Sequence, residues 1–213
     1  MRTGILFDLD GTLLDTLEDL ADAVNYVLRQ FGYPERTIEE VRRFVGNGAR
    51  VLIQRAVPEG VDPETVFAAF RSYYDAHCQE KTRPYAGVMA ALTRLGGMYP
   101  IAVVSNKPDS AVKALCAYYF PGVYALGESA DCPRKPAPDM IKKAMDAIGV
   151  DQCVYVGDSE VDVATARNAG VPCLTVLWGF RDKEELEHAG ATHFCTHPAQ
   201  IVDAVVWMIA GST

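Results

Sequence analysis

Short apolar segments recur along this chain, and most of them run into polar residues. They cover residues 3–7, 101–104, 122–126, 153–157 and 171–177. Within these segments apolar residues do not alternate with polar ones, so both faces of each strand are expected to be buried. Strands buried on both faces belong to parallel sheets that are covered by helices. The chain is therefore predicted to fold around a parallel sheet.

Helical patterns separate the strand segments in the second part of the chain. The predicted helices cover residues 87–95, 109–119, 139–148, 161–168, 183–188 and 198–209. Asp109 and Asp139 are predicted to cap two of these helices, and Gly149 and Gly170 to end two of them. Strands that alternate with helices predict an α/β fold, a doubly wound parallel sheet with helices on both faces.

The residues after the first strand follow a different pattern. Residues 17–28, 38–44, 49–56 and 63–79 have helical spacing with no strand between them. We predict an all-α helical cap domain at 16–83, inserted into an α/β core domain formed by 1–15 and 84–213. Hinges between the two are expected near Asp15 and near Pro84, where a proline breaks the helical stretch.

The composition excludes several classes of protein. Of the 213 residues, 49% are hydrophobic and 23% are charged, as in an ordinary globular protein. The net charge of −8 disfavours nucleic acid and anionic membranes as partners. The six cysteines include no C-x-x-C pair, which disfavours a zinc ribbon. With no signal peptide and no apolar run of about 20 residues, we expect a cytoplasmic protein with reduced cysteines. We expect it to be a monomer or a homodimer.

Carboxylates follow two of the predicted strands. Asp8 and Asp10 are two residues apart at the end of the first strand, so their side chains can point to the same side. Asp158 and Asp162 follow the segment 153–157, and the carboxyl ends of parallel strands meet at one edge of the sheet. Carboxylates held close together favour a hard divalent cation between them. The alternative is a solvated acidic turn with a helix cap at each position.

Other polar residues are expected at the same edge of the sheet. Ser105 and Asn106 follow the segment 101–104, where a hydroxyl, an amide and the backbone N–H groups of a helix start can bind an anion. Lys135 lies on a stiff, proline-rich segment and can offer the cation that a phosphate site needs besides a metal. Taken separately, Ser105 could instead cap a helix, and Lys135 could be an ordinary surface residue.

Together, these segments resemble the motifs of the haloacid dehalogenase superfamily, most of whose members are phosphatases. In chain order they are Asp8-x-Asp10-Gly-Thr, Ser105-Asn106, Lys135 and Gly157-Asp158-Ser159-x-x-Asp162. The helical insertion is similar to the cap domain of one subgroup. Residues 45–50 and 105–108 are most similar to segments of the phosphoglycolate phosphatases.

The resemblance implies a mechanism and a cofactor. Asp8 is the expected nucleophile, which forms an aspartyl-phosphate, and Asp10 is the expected general acid and base. Mg²⁺ is the expected cofactor, held by Asp8, the backbone carbonyl of Asp10, and Asp158. The expected phosphate-binding residues are Ser105, Asn106 and Lys135. Residues expected to orient these groups are Ser159 and Asp162.

The resemblance also implies a substrate. It points to a small phosphorylated metabolite, most closely 2-phosphoglycolate, beneath a cap that closes over the site. Asn47, Gly48 and Arg50 are candidates for contact with its non-phosphate end, since a guanidinium pairs well with a carboxylate. Arg50 could equally be a surface residue of a cap helix.

Other functions compete with this interpretation. A sugar phosphomutase of the same fold would use the same aspartates, but residues 16–30 hold no histidine of the kind that such mutases tend to place there. A pyrophosphatase or nucleotidase with the same cap is harder to exclude. The helical insertion disfavours a signalling receiver domain, and the complete set of catalytic side chains disfavours an inactive binding protein.

Overall fold

A parallel sheet lies at the centre of the computed structural model, which describes residues 1–211. The strands of the described residues are β1 (Thr3–Phe7), β2 (Leu14–Asp15), β3 (Arg83–Pro84), β4 (Ile101–Pro108), β5 (Tyr124–Glu128), β6 (Gln152–Gly157), β7 (Cys173–Val176) and β8 (Phe194–Cys195). Six strands form one sheet in the order β5-β4-β1-β6-β7-β8, and every neighbouring pair is parallel. The predicted parallel sheet is therefore confirmed, while β8 was not predicted.

The helices lie close to their predicted positions. They are α1 (Leu17–Gln30), α2 (Ile38–Phe44), α3 (Ala49–Ala56), α4 (Pro63–His77), α5 (Val88–Gly96), α6 (Asp109–Tyr119), α7 (Asp139–Ile148), α8 (Glu160–Ala169), α9 (Lys183–His188) and α10 (Ile201–Gly211). The helix predicted at 198–209 is divided into a 3-10 turn at Pro198–Gln200 followed by α10. Within residues 1–211, no helix is both long enough and apolar enough to cross a membrane.

Alternate residues of β1 belong to two different hydrophobic clusters. Ile5 and Phe7 pack with the buried faces of α5, α6 and α10, whereas Leu6 packs with α7 and Ala166 of α8. Because successive side chains of a strand point to opposite faces, the two clusters cover the two sides of the sheet. The predicted α/β class, a sheet with helices on both faces, is confirmed.

Two predicted helix caps are wrong. Asp109 and Asp139 are the first residues of α6 and α7, and the prolines before them occupy the cap positions. Since β4 continues to Pro108, the helix begins directly after the strand and leaves no room for a separate capping residue. The Asp109 carboxylate instead accepts a hydrogen bond from the backbone N–H of Gly127, at 2.9 Å. It therefore ties the start of α6 to β5.

The two connections to helices α1–α4 run side by side. Leu14 and Asp15 of β2 pair antiparallel with Arg83 and Pro84 of β3. Close by, the Asp19 carboxylate of α1 accepts hydrogen bonds from the backbone N–H groups of residues 81 and 82. We call α1–α4 the helical block. Its treatment as a domain at 16–83, beside a core of 1–15 and 84–213, stays a prediction, and residues 212–213 lie outside the described residues.

Candidate active site

The predicted site residues come together because β1, β4 and β6 are neighbours in the sheet. Asp8 follows β1, Ser105 lies in the carboxyl-terminal half of β4, and Asp158 follows β6. In a parallel sheet these carboxyl ends share one edge, which is where ligands of such folds bind. Asp8, Ser105 and Asp158 are buried there and line one cavity between the sheet edge and the helical block.

Lys135 joins two of the buried carboxylates. Its Nζ lies 2.9 Å from Oδ1 of Asp8 and 2.8 Å from Oδ1 of Asp162, and it donates to the Tyr155 hydroxyl at 3.0 Å. Burial opposes the charge on Lys135, but the carboxylates of Asp162 and Asp8 outweigh it and raise the pKa of the ammonium above its usual range. Lys135 is therefore a fixed cation beside the predicted nucleophile.

Asp162 is held in one orientation by the start of α8. Its Oδ2 accepts from the backbone N–H and the hydroxyl of Ser159, while the Ser159 hydroxyl accepts from the Asp162 N–H in a capping box. Its Oδ1 faces Lys135 and the Tyr155 hydroxyl. Burial raises the pKa of Asp162, but these donors, Lys135 foremost, lower it below its usual value. Asp162 is therefore a charged group that positions Lys135 and the loop before α8.

Asp158 has fewer compensating partners. Its Oδ1 accepts from the Thr12 hydroxyl at 3.0 Å, and its Oδ2 accepts from the Phe180 backbone N–H at 2.8 Å. Burial, followed by the charges of Asp162 and Asp8, raises the pKa of Asp158 well above its usual value. Burial and the charge of Asp162 likewise raise the pKa of Asp8 to about 7. The negative charges of Asp8 and Asp158 are therefore only partly balanced by the positive charges and hydrogen-bond donors around them.

This cluster fits a divalent cation. Carboxylate oxygens of Asp8, Asp158 and Asp162 all lie within 4.8 Å of one another. The Lys135 ammonium pairs with Asp8 and Asp162 but not with Asp158. A hard cation such as Mg²⁺ prefers oxygen ligands. It would offset the burial and the mutual repulsion that together raise the pKa of Asp8 and of Asp158. Both carboxylate oxygens of Asp162 already accept hydrogen bonds from neighbouring groups. Asp8 and Asp158 are therefore the carboxylates best suited to hold the ion.

Glycines make room for Asp158. Gly11 has a φ of +81°, and a Cβ atom there would overlap the Asp158 carboxylate. A Cβ atom at Gly179, in the loop after β7, would overlap the same carboxylate. The close approach of two backbone segments to one acid therefore requires glycine at both positions.

Asp10 faces Lys107, which is not among the predicted site residues. Both of its carboxylate oxygens accept from Nζ of Lys107, at 3.0 and 3.1 Å. Burial opposes the charge of Lys107, yet Asp10 and Tyr74 of α4 raise its pKa above the usual range. The sequence does carry a signal for Lys107. Residues two apart in a strand share a face, so Lys107 is expected on the same side as the predicted site residue Ser105.

Asn106 connects three parts of the site. Its side-chain amide donates to the backbone carbonyl of Lys135 at 3.0 Å and to that of Gly46 at 3.3 Å, and its Oδ1 accepts from the Lys135 N–H. The Asn106 side chain thus positions Lys135 and contacts the helical block. Ser105 accepts a hydrogen bond from the backbone N–H of Lys107.

The predicted cap residues are placed differently from one another. Gly48 lines the cavity, and a Cβ atom there would lie 3.4 Å from the backbone oxygen of Asn106. Asn47 and Arg50 do not line it. Arg50 forms an ion pair with Glu64, and its guanidinium lies over the Phe67 ring, 4.5 Å from the centroid. The structure therefore brings Gly48 to the site but not Asn47 or Arg50.

Arg181 ties the core to the helical block. Its guanidinium donates to Glu160 at 2.8 Å, to the Val45 carbonyl at 2.7 Å and to the Arg42 carbonyl at 3.3 Å. The segment before it contacts Asp158 through the Phe180 N–H. Loop 178–181 therefore touches the acidic cluster on one side and the carboxyl end of α2 on the other. No local sequence signal predicted this role.

Comparisons with known proteins agree with this geometry. The haloacid dehalogenase-like hydrolase family matches residues 5–176. The phosphoglycolate phosphatase of Rhodobacter capsulatus is 34% identical over 97% of this chain and 100% of its own length. A phosphoglycolate phosphatase of Xanthomonas campestris pv. campestris is 32% identical over 95% of this chain and 96% of its own.

A solved crystal structure is also similar to this chain. The crystal structure of a protein from Lactobacillus delbrueckii subsp. bulgaricus superimposes with a TM-score of 0.89 at 37% identity, covering 95% of this chain and 97% of that one. These matches confirm the predicted superfamily, its fold and the prediction of a phosphoric monoester hydrolase. The family match spans the four motif segments, so the chain belongs to the haloacid dehalogenase-like hydrolases.

Proposed function

We propose that this hydrolase is a Mg²⁺-dependent phosphatase for small phosphate monoesters, with 2-phosphoglycolate as its substrate, and that it works through an aspartyl-phosphate on Asp8. One observation carries the proposal. Asp8 is a buried carboxylate at the edge of the cavity, with the Lys135 ammonium 2.9 Å away and a second under-compensated acid, Asp158, beside it. The phosphoglycolate phosphatases that match nearly the whole chain support the choice of substrate.

The first half-reaction transfers the phosphoryl group to the enzyme. A carboxylate oxygen of Asp8 forms a bond to phosphorus as the bond from phosphorus to the ester oxygen breaks. Asp10, which lines the same cavity, gives a proton to the leaving alkoxide. Lys135, the Ser105 hydroxyl and the Asn106 backbone N–H stabilise the charge on the transferring oxygens.

The second half-reaction restores the enzyme. Asp10 takes a proton from a water molecule, whose oxygen attacks phosphorus while the bond to Asp8 breaks. Inorganic phosphate leaves, and Asp8 is a free carboxylate again. The helical block covers the cavity during both steps and keeps bulk water away from the intermediate.

The residues that would hold the cation are Asp8, Asp158 and the backbone carbonyl of Asp10. When bound, a divalent cation supplies positive charge that reduces the repulsion between the nucleophilic carboxylate and the phosphate dianion. Asp162 and Ser159 keep Lys135 and the start of α8 in place around these ligands.

The proposal is tested by measuring inorganic phosphate release from 2-phosphoglycolate, with Mg²⁺ and after treatment with a chelator. We expect a metal-dependent rate with a kcat/KM above roughly 10⁴ M⁻¹ s⁻¹, the usual range for a native substrate. Asp8→Asn, which keeps the side-chain volume, is expected to abolish release. Turnover by Asp8→Asn, or a rate unaffected by chelation, would contradict the mechanism.

The same assay separates the substrate from the chemistry. Sugar phosphates, nucleoside monophosphates and pyrophosphate are measured beside 2-phosphoglycolate at equal concentration. A higher kcat/KM for one of these compounds would reject 2-phosphoglycolate as the substrate while keeping the phosphatase. Transfer of the phosphoryl group to a sugar instead of to water would indicate a mutase.

A further inference from the structure

We propose that Lys107 and Tyr74 form a subsite for the carboxylate of the substrate, and this inference rests on the proposed phosphatase function. Both residues line the cavity that contains Asp8 and Asp10. Lys107 comes from β4 of the core and Tyr74 from α4 of the helical block. The subsite is complete only where the two parts of the chain meet.

Lys107 is a second buried cation on the side of Asp10. Its side chain is 2% exposed, and its Nζ donates to both oxygens of the Asp10 carboxylate. Lys135 already serves Asp8 and Asp162, where the phosphoryl group is expected. An ammonium has three donors, so Lys107 can keep Asp10 and still donate to a further anion.

Tyr74 supplies an unused hydrogen-bond donor beside this ammonium. The residue is buried, and among residues 1–211 no acceptor takes a hydrogen bond from its hydroxyl, whose charged neighbour Lys107 can only donate. Its ring centroid lies 4.5 Å from Nζ of Lys107, so the hydroxyl and the ammonium belong to the same wall of the cavity. A buried hydroxyl without a partner is costly, and a ligand atom that accepts from it removes that cost.

The chemistry of the substrate fits this arrangement. In 2-phosphoglycolate the carboxylate carbon is separated from the leaving oxygen by one CH₂ group. Asp10 must contact that oxygen when it donates its proton, and Lys107 is one hydrogen bond beyond Asp10. An ammonium next to Asp10, with a phenol beside it, therefore fits an ester whose alcohol carries a short carboxylate. Around them the wall is apolar, with Leu52 and Phe70 from the helical block.

Three arginines near the site are committed elsewhere. Arg134 lies beside Gly48, but it pairs with Glu128 at 3.9 Å and does not line the cavity. The Arg181 guanidinium lines the cavity but donates to Glu160 and to the carbonyls of Val45 and Arg42. Arg50 pairs with Glu64 and lies outside the cavity lining. Recognition of a carboxylate therefore falls to Lys107 and Tyr74.

The experiment compares two esters that differ only in the recognised group. Ethyl phosphate carries a methyl group where 2-phosphoglycolate carries its carboxylate. We measure kcat/KM for both esters with the wild type, Tyr74→Phe and Lys107→Gln. Tyr73→Phe is the matched control, because Tyr73 is the neighbouring residue of α4 and stacks on Tyr26 and not on the cavity wall.

The decisive quantity is the ratio of kcat/KM for 2-phosphoglycolate to that for ethyl phosphate. Tyr74→Phe should lower this ratio about 10- to 100-fold, the effect of one lost hydrogen bond to a charged group. Lys107→Gln should lower the ratio further, because it removes the positive charge. It should also lower kcat/KM for both esters, because Asp10 loses its hydrogen-bond partner. Tyr73→Phe should leave the ratio at the wild-type value.

The outcomes distinguish this subsite from the proposed function. An unchanged ratio in Tyr74→Phe, with both esters affected equally, means that Tyr74 only packs the helical block; it overturns the subsite and leaves the phosphatase standing. A wild type that does not prefer 2-phosphoglycolate to ethyl phosphate also overturns the subsite. A wild type that hydrolyses neither ester contradicts the proposed function itself, and the subsite with it.

Discussion

Replacing Arg181 by methionine should release the helical block from the core. Arg181 is buried, and its guanidinium donates to the carbonyls of Arg42 and Val45 at the carboxyl end of α2. A positive charge is favourable there, because the unpaired carbonyls of a helix end carry partial negative charge. Methionine keeps a similar length of apolar side chain but provides neither the charge nor the donors.

The size of the effect follows from these two hydrogen bonds. A hydrogen bond that involves a charged group contributes about 1.5–3 kcal/mol, and the 3.3 Å bond to Arg42 is the weaker of the two. Water replaces part of both when the block moves away. We therefore expect a loss of about 3 kcal/mol, which is a shift of roughly 100-fold toward the released arrangement.

Amide hydrogen exchange measures this shift without turnover. In Arg181→Met, the amides of residues 42–50 should exchange faster, and kcat/KM for 2-phosphoglycolate should fall. Arg55→Met is the matched control, because Arg55 donates to the Phe44 carbonyl at 3.0 Å from within the helical block. Wild-type exchange in Arg181→Met, or the same acceleration in Arg55→Met, would refute the role given to Arg181.

Three further predictions concern the acidic cluster. Lys135→Met leaves Asp8 and Asp162 without their shared ammonium and should lower the free energy of unfolding by about 3–5 kcal/mol. Urea denaturation measures this, and an unfolding midpoint equal to that of the wild type would contradict it. Metal-free protein should lose stability from pH 4 toward 7, because folded Asp8 (pKa about 7) keeps a proton that the unfolded chain (pKa 3.8) releases. Mg²⁺ should thus raise the calorimetric Tm more at pH 8 than at pH 5.5, and equal shifts would argue against a site at Asp8. Gly179→Ala places a methyl group against Asp158 and should weaken Mg²⁺ binding by about 10- to 100-fold in titration calorimetry; unchanged affinity would refute the crowding argument.

Burial decided which parts of the fold could be predicted from the sequence. The strands β1, β4 and β6 are buried on both faces, so their apolar runs are continuous and the polar residues at their ends are easy to locate. By contrast, β8 has two residues and lies at the edge of the sheet, which leaves no run to detect. The error at Asp109 has a similar origin, because β4 continues through polar residues as far as Pro108.

The residues that join the two parts of the chain were beyond sequence reasoning for a different reason. Lys107 is the exception: it follows the predicted residues Ser105 and Asn106 in the same strand, so strand periodicity could have placed its side chain on the face of Ser105. Tyr74 and Arg181 have no such context, since each acts across the contact between the helical block and the core. In α4 a tyrosine at this spacing looks like any other core aromatic, and only the docked position of the helix brings its hydroxyl beside Lys107. Substrate selectivity in this chain is therefore expected to depend on the docking of the helical block, whereas the residues proposed for phosphoryl transfer all lie at the edge of the sheet.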